Sequence, residues 1–294
     1  MSTTDDIKTF KEKRTRWIEC LSGEDPNSVR VQLYELTWNA AAFRVINEAR
    51  GLAPAVLESE VEGEGEVNGL LHCLLDQCFF HSQLLAIRRL SDEYGLEGKK
   101  GVFSLASLIE DMRENACLFN RGNMFAAEGL EYDVDSAERH IEIDELSGAS
   151  AEKRSPGDTI RPQVFEGLKG KVTEVTETSI KIRTYVHTFL AHSATPNSRA
   201  YKKADDIRIE LGDLWRAHES LCRTAEFLSG PILNAGGHAY LARPQGDQFV
   251  YIDKPLVTPE NVAQLREYWK AYEKQTQAWQ AWNVSELVSP VSGP

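Results

Sequence analysis

Long apolar runs are missing from this sequence. None approaches the ~20 residues that a helix needs to cross a bilayer, and the opening stretch, Met1 to Arg16, is polar and charged rather than signal-like. A soluble, cytoplasmic protein with no membrane role is therefore expected. Cysteine is scarce and odd in number: Cys20, Cys73, Cys78, Cys117 and Cys222 stand among apolar neighbours, which fits reduced thiols in a core better than a disulfide framework. Positive charge is in deficit, with 33 Lys and Arg against 45 Asp and Glu and a formal net charge of −12. Such a balance argues against a protein that coats phosphate backbones and leaves room only for a local basic pocket. A phosphate-cradling loop is also absent, since Ala235-Gly236-Gly237-His238 lacks the Lys and the following helix. No Gly-x-Ser-x-Gly elbow, internal repeat or low-complexity tract occurs, and no cofactor or metal is expected.

What the chain does have is enough apolar residues, 41% of 294, to bury a sizeable core. Apolar positions recur at helical spacing over Val29–Ala49 (Leu33, Leu36, Ala40, Phe43, Ile46) and over Val67–Glu93. In the second stretch Leu70, Leu71, Leu74, Leu75, Cys78, Leu85 and Leu90 form a stripe expected to be buried centrally. Ser104 is an expected N-cap for a helix to Asn115, with Leu105, Leu108, Ile109 and Met112 inward. From 120 to 170 the pattern fades into Gly, Asp, Glu and Ser, a long loop or lid with one short helix near Asp135–Glu145. Helical spacing returns over Val172–Ser193 and Asp205–Leu228, the latter ended by Gly230-Pro231. Alternation over His238–Asp253 predicts a hairpin, and Pro259 opens a final helix carrying Leu265, Trp269, Tyr272 and Trp279. The expected fold is an all-α bundle over residues 29–230, preceded by a polar segment or helix at 1–28 and followed by a hairpin and helix at 231–294.

Two clusters carry potential chemistry. His187 and His192 end a helix just before Pro196, where an imidazole can sit half exposed and titrate near neutrality, or simply interact with the last carbonyls. His72, Cys73, Cys78 and His81 have zinc-like chemistry, but Cys73 and Cys78 at i, i+5 diverge on an α-helix, so core thiols are the expected reading.

Four segments in order resemble the abortive-infection branch of the HEPN proteins. They are Leu33–Arg50, Phe79–Asp92 ending in Arg89-Leu90-Ser91-Asp92, Asn120–Asp133 with Arg121-x-Asn123 and Gly129-x-x-Tyr132-Asp133, and Phe189–Ser193 with Ala191-His192. The resemblance covers roughly residues 30 to 228. It implies a helical bundle, often dimeric, and in many members a metal-independent ribonuclease of prokaryotic defence or toxin systems. It also assigns Arg89, Asp92, Arg121, Asn123, Tyr132, Asp133 and Ser193 to RNA- or nucleotide-binding or motif roles and His192 to catalysis; His187, five residues before it, is the candidate second catalytic group.

One departure bears on activity. The family's Arg stands four to six residues before its His, yet here those positions hold Tyr185, Val186 and His187. Arg183 lies nine residues before His192, and nine steps of about 100° put it on the far side of an α-helix. His187, five residues before, lies about 140° away. Without a fixed cation to stabilise charge on the phosphate, Arg-assisted cleavage is not expected. The expected function is RNA or nucleotide binding, or regulation of an antitoxin-like protein partner, by a homodimer. An active ribonuclease using His192 and a non-catalytic scaffold are the alternatives.

Overall fold

A computed structural model describes residues 4–52, 69–130, 142–174, 177–191, 208–236 and 259–277. The protein is all-α: ten α-helices and no sheet occur among the described residues, and the single β-bridge joins Asn120 to Thr159. The chain divides into two units, Met1–Ala242 and Arg243–Pro294.

In the first unit, α1 (Thr4–Ser22) contributes Phe10, Trp17, Cys20 and Leu21 to the core despite its polar composition. Trp17 stacks on Phe119 at 4.7 Å between ring centroids, while its indole N–H donates to Asp111 Oδ2 at 2.6 Å. Lys13 Nζ reaches the other oxygen of Asp111 at 3.0 Å, so one carboxylate ties α1 to α4 (Leu105–Glu114). α2 (Val29–Leu52) buries Val29, Leu33, Leu36, Ala40 and Phe43, a strict 4-3-4-3 spacing that keeps one stripe facing inward. Ser104 caps α4 as its sequence position predicts, with Oγ accepting from the Ser107 N–H at 3.0 Å.

α3 (Gly69–Leu90) differs from expectation in phase. It buries Phe79, Gln83, Leu84, Ile87 and Leu90 and leaves Leu71, Leu74 and Leu85 at 37%, 56% and 38% exposure. A helix apolar nearly all round has no polar face to set its rotation, so packing decides which side goes inward. The thiols follow: Cys20 is buried and Cys222 half-buried, but Cys73, Cys78 and Cys117 are exposed rather than core residues.

Beyond α4 come α5 (Arg121–Ala127), α6 (Glu142–Ser147) and α7 (Pro162–Lys169), the last opened by proline at its first turn and anchored by buried Phe165. α8 (Glu177–Tyr185) runs into a π-helical turn, Val186–Ala191. α9 (Leu211–Phe227) packs on α2, α3 and α8. Gly230-Pro231 does not stop α9 outright. The chain continues as a π turn over Leu228–Ile232, closed by Leu233 N–H donating to Leu228 C=O at 2.9 Å, a five-residue step.

In the second unit a 3₁₀ turn at Pro259–Asn261 leads into α10 (Val262–Gln277), on which Leu265 and Trp269 are exposed. The expected hairpin at His238–Asp253 and Trp279 lie outside the described residues. No helix among the described residues is long and apolar enough to cross a membrane.

Candidate functional site

Two pairs of the residues singled out in the sequence, Arg121 with Asn123 and Arg89 with Asp92, stand in separate places, and an aromatic cleft that the sequence did not single out is the third. Arg121 and Asn123 are fully buried on α5. Arg121 Nη2 donates to Asp144 Oδ1 at 2.6 Å and its Nε approaches Asp158 Oδ2 at 3.4 Å. Arg154 grips the same Asp144 through Nη2 at 2.8 Å. Hydrogen bonds from Arg154 first, and from Arg121 after it, hold the Asp144 carboxyl below its ordinary range against the opposing effect of burial. Backbone bonds add to the clamp, Arg121 N–H to Asp158 C=O and Gly122 N–H to Pro156 C=O, both at 2.8 Å. Asn123 Nδ2 donates to Leu118 C=O at 2.9 Å. Buried in this way, Arg121 holds the 142–161 segment on the bundle and Asn123 ties α5 to the turn before it, and neither side chain is presented at the surface. Tyr132 and Asp133 lie outside the described residues.

Arg89 and Asp92 do come together. They line a cavity of about 380 Å³ with Asp25, Asn27, Gln32, Gly101, Val102 and Phe103. Asp92 pairs with Arg88 at 3.3 Å, one helical turn away. Its backbone carbonyl accepts from Ser104 Oγ at 2.5 Å and Ser107 Oγ at 2.9 Å, which fixes the end of α3 against the start of α4. With Asp25 and Asp92 both on the wall, this cavity is a poor receptor for phosphate.

The third place is an aromatic cleft of about 650 Å³ between α2, α3 and α8, with Leu211 of α9 at its edge. Phe43, Phe79, Phe80 and Tyr185 supply its rings, and Asn47, Asp76, Gln77 and His81 its polar groups. Phe43 lies parallel to Phe79 at 3.7 Å, while Phe80 meets Tyr185 edge-on at 5.8 Å. Tyr185 also contacts Phe189 at 4.9 Å, so the cleft wall continues into the π turn. Behind it, Phe79 leads to Trp215, over whose ring Arg44 sits at 4.2 Å. His218 lies beyond Trp215, at 5.4 Å and 7% exposure; desolvation, aided by the Arg44 charge, lowers its pKa to about 4. No Lys or Arg is among the described lining residues.

A π turn stands where α-helix was expected, and on it Val186 is buried and His187 exposed. His192 and Ser193 lie outside the described residues. Among the described residues no three His, Cys, Asp or Glu side chains gather as a metal-ligand set.

Sequence periodicity did not reveal the cleft, because its residues come from separate helices and each reads locally as core. Tyr185 stands on the apolar stripe of α8, and Phe79 and Phe80 sit within the apolar helix α3. An Asn, an Asp and a Gln beside such rings were the available signal. No protein-family model, curated protein or solved structure matches the chain, so the residues of the cleft themselves carry the functional reading.

Proposed function

We propose that this chain is a HEPN-like cytoplasmic protein, associated with phage defence or a toxin–antitoxin pair. In this reading it binds an unpaired base of RNA or a nucleotide in the aromatic cleft, without Arg-assisted ribonuclease chemistry. An antitoxin-like protein is the expected partner. The observation that carries the reading is the cleft's composition: the half-buried rings of Phe80 and Tyr185, backed by the stacked pair Phe43 and Phe79, beside one carboxylate, two carboxamides and His81. Aromatic faces stack on any base, at about 1–3 kcal/mol each. Gln77, exposed on α3, can both donate and accept along a base edge. The absence of lining cations favours recognition of the base over the phosphate.

Titration with the four nucleosides, their monophosphates and a short fluorescent oligoribonucleotide tests this. Tyr185→Ala should weaken binding by roughly 5- to 100-fold, the equivalent of one lost stacking contact. No binding at millimolar ligand, or unchanged binding by Tyr185→Ala, would overturn it.

The second reading is an active ribonuclease that uses His192 with His187, one imidazole as proton donor and the other as acceptor. Toxicity on expression, together with RNA cleavage by the purified chain that His192→Ala abolishes, is the outcome that would favour it.

A further inference from the structure

We propose that the cavity at the C-terminal end of α3 binds a free α-amino acid, held as a zwitterion between Arg89 and Asp25. Both side chains line this space of about 380 Å³, yet they make no ion pair with each other. Asp92, also on the wall, is answered by Arg88 at 3.3 Å. The Arg89 guanidinium has no hydrogen bond or ion pair among the described residues. Asp25 Oδ1 accepts from the Asn27 N–H at 2.7 Å, which orients the carboxylate without neutralising it. Gln32 Nε2 donates to Asn27 C=O at 2.6 Å and to Phe103 C=O at 2.9 Å, so its two N–H groups are spent and its carboxamide oxygen is what a ligand would meet. The wall therefore offers a guanidinium fork that matches a carboxylate, and a carboxylate with a carbonyl oxygen that match an ammonium.

Charge narrows the ligand class. An anion meets the net −12 of the chain and two carboxylates on the wall, whereas a simple cation meets Arg89. A dipolar ion carries no net charge and can satisfy both signs at once. Its side chain would lie against Val102 and Phe103, both half-buried. One wall is built before any ligand arrives: Gly101 N–H donates to Gly98 C=O at 3.0 Å, Val102 N–H to Gly95 C=O at 3.1 Å, and Arg16 Nη2 to Leu96 C=O at 3.0 Å. A Cβ at Gly101 would stand 2.7 Å from the Leu96 carbonyl oxygen, so only glycine lets the loop close this tightly. A preformed wall lowers the ordering cost of binding. Gln32 precedes Phe43 by eleven residues, about 16 Å along α2, so the site is separate from the aromatic cleft and does not depend on what that cleft binds.

Calorimetric titration of the full chain with each of the standard α-amino acids should find at least one that binds at millimolar concentration or below. The amide of that amino acid, which lacks the carboxylate, and its N-acetyl form, which lacks the ammonium, should each bind about 10- to 150-fold more weakly, the loss of one charge-assisted contact. Arg89→Met should weaken the amino acid by a similar factor and leave it no better than its amide. Asp25→Asn keeps an oxygen for the Asn27 N–H, and it should leave the amino acid no better than its N-acetyl form. Absence of binding by every amino acid overturns the proposal. Equal binding of the amide would make this a site for cations, and equal binding of the N-acetyl form a site for anions; either result overturns it too, as does undiminished affinity in Arg89→Met. Should a variant unfold, the two derivatives titrated into the unaltered protein decide the matter alone.

Discussion

His218 shows how one side chain can make stability depend on pH. It is buried beside Trp215, its Nε2 finds no partner, and the Arg44 charge adds to the cost of protonating it. The ring is therefore neutral in the fold at neutral pH. In the unfolded chain it takes a proton near the ordinary value of 6.5, but in the fold only at about 4. Between those values the unfolded state binds more protons, so folding is favoured above pH 6.5 and loses stability as pH falls toward 4. The full span corresponds to about 3 kcal/mol. Urea unfolding at pH 7, 5.5 and 4.5 should show this loss in the unaltered protein and a shallower slope in His218→Leu, whatever the variant's absolute stability. Parallel slopes would show that the ring does not drive the dependence.

Among the elements, residues 142–161 are held by an ion cluster as well as by buried Ile143, Leu146 and Ile160. Arg121, with no exposed side-chain surface, bridges Asp144 and Asp158, and Arg154 completes the cluster. Arg121→Ala would leave both carboxylates short of a partner and open a cavity, at a cost of about 3–5 kcal/mol. Hydrogen exchange should then rise over 142–161 before it rises in α4; a uniform rise, or a loss below about 1 kcal/mol, would mean the cluster is not the clamp. This explains why the sequence read clearly in some places and not in others. The α2 stripe and the Ser104 cap were legible because each is decided within one helix, by spacing in the first case and by a side chain reaching its own backbone in the second. The phase of α3 was not, since apolar residues surround it and only its neighbours choose the buried side. Nor was the clamp, whose residues are as far as 37 positions apart and whose acidic, Gly-rich setting reads as loop. The cleft shares that difficulty: Phe43, Phe79, Phe80 and Tyr185 meet only after three helices have packed.

For the whole molecule, the −12 charge and a cleft lining without Lys or Arg lead to one quantitative expectation. A protein that holds RNA by its backbone releases a counterion for each phosphate it neutralises, and its affinity falls steeply with salt. Six to ten such contacts cost about 10³–10⁵ in affinity between 50 and 200 mM salt. A cleft that stacks a base and reads its edge neutralises few phosphates or none. For a single-stranded oligoribonucleotide, one phosphate contact corresponds to a change of about threefold over that range. Weak salt dependence combined with sensitivity to Tyr185→Ala would therefore place recognition at the base. Steep dependence that Tyr185→Ala leaves intact would instead locate binding on a basic surface elsewhere. The groove beside α9, lined by Lys171, Arg216, Glu219, Ser220 and Arg223, is the first such surface to test. Of its two arginines, Arg216 is paired with Asp213 and Arg223 with Glu219, so RNA binding there would have to displace existing ion pairs. Those pairs are exposed on the arginine side and contribute little, and Lys171→Ala combined with Arg223→Ala would reduce the salt slope if the groove holds the strand.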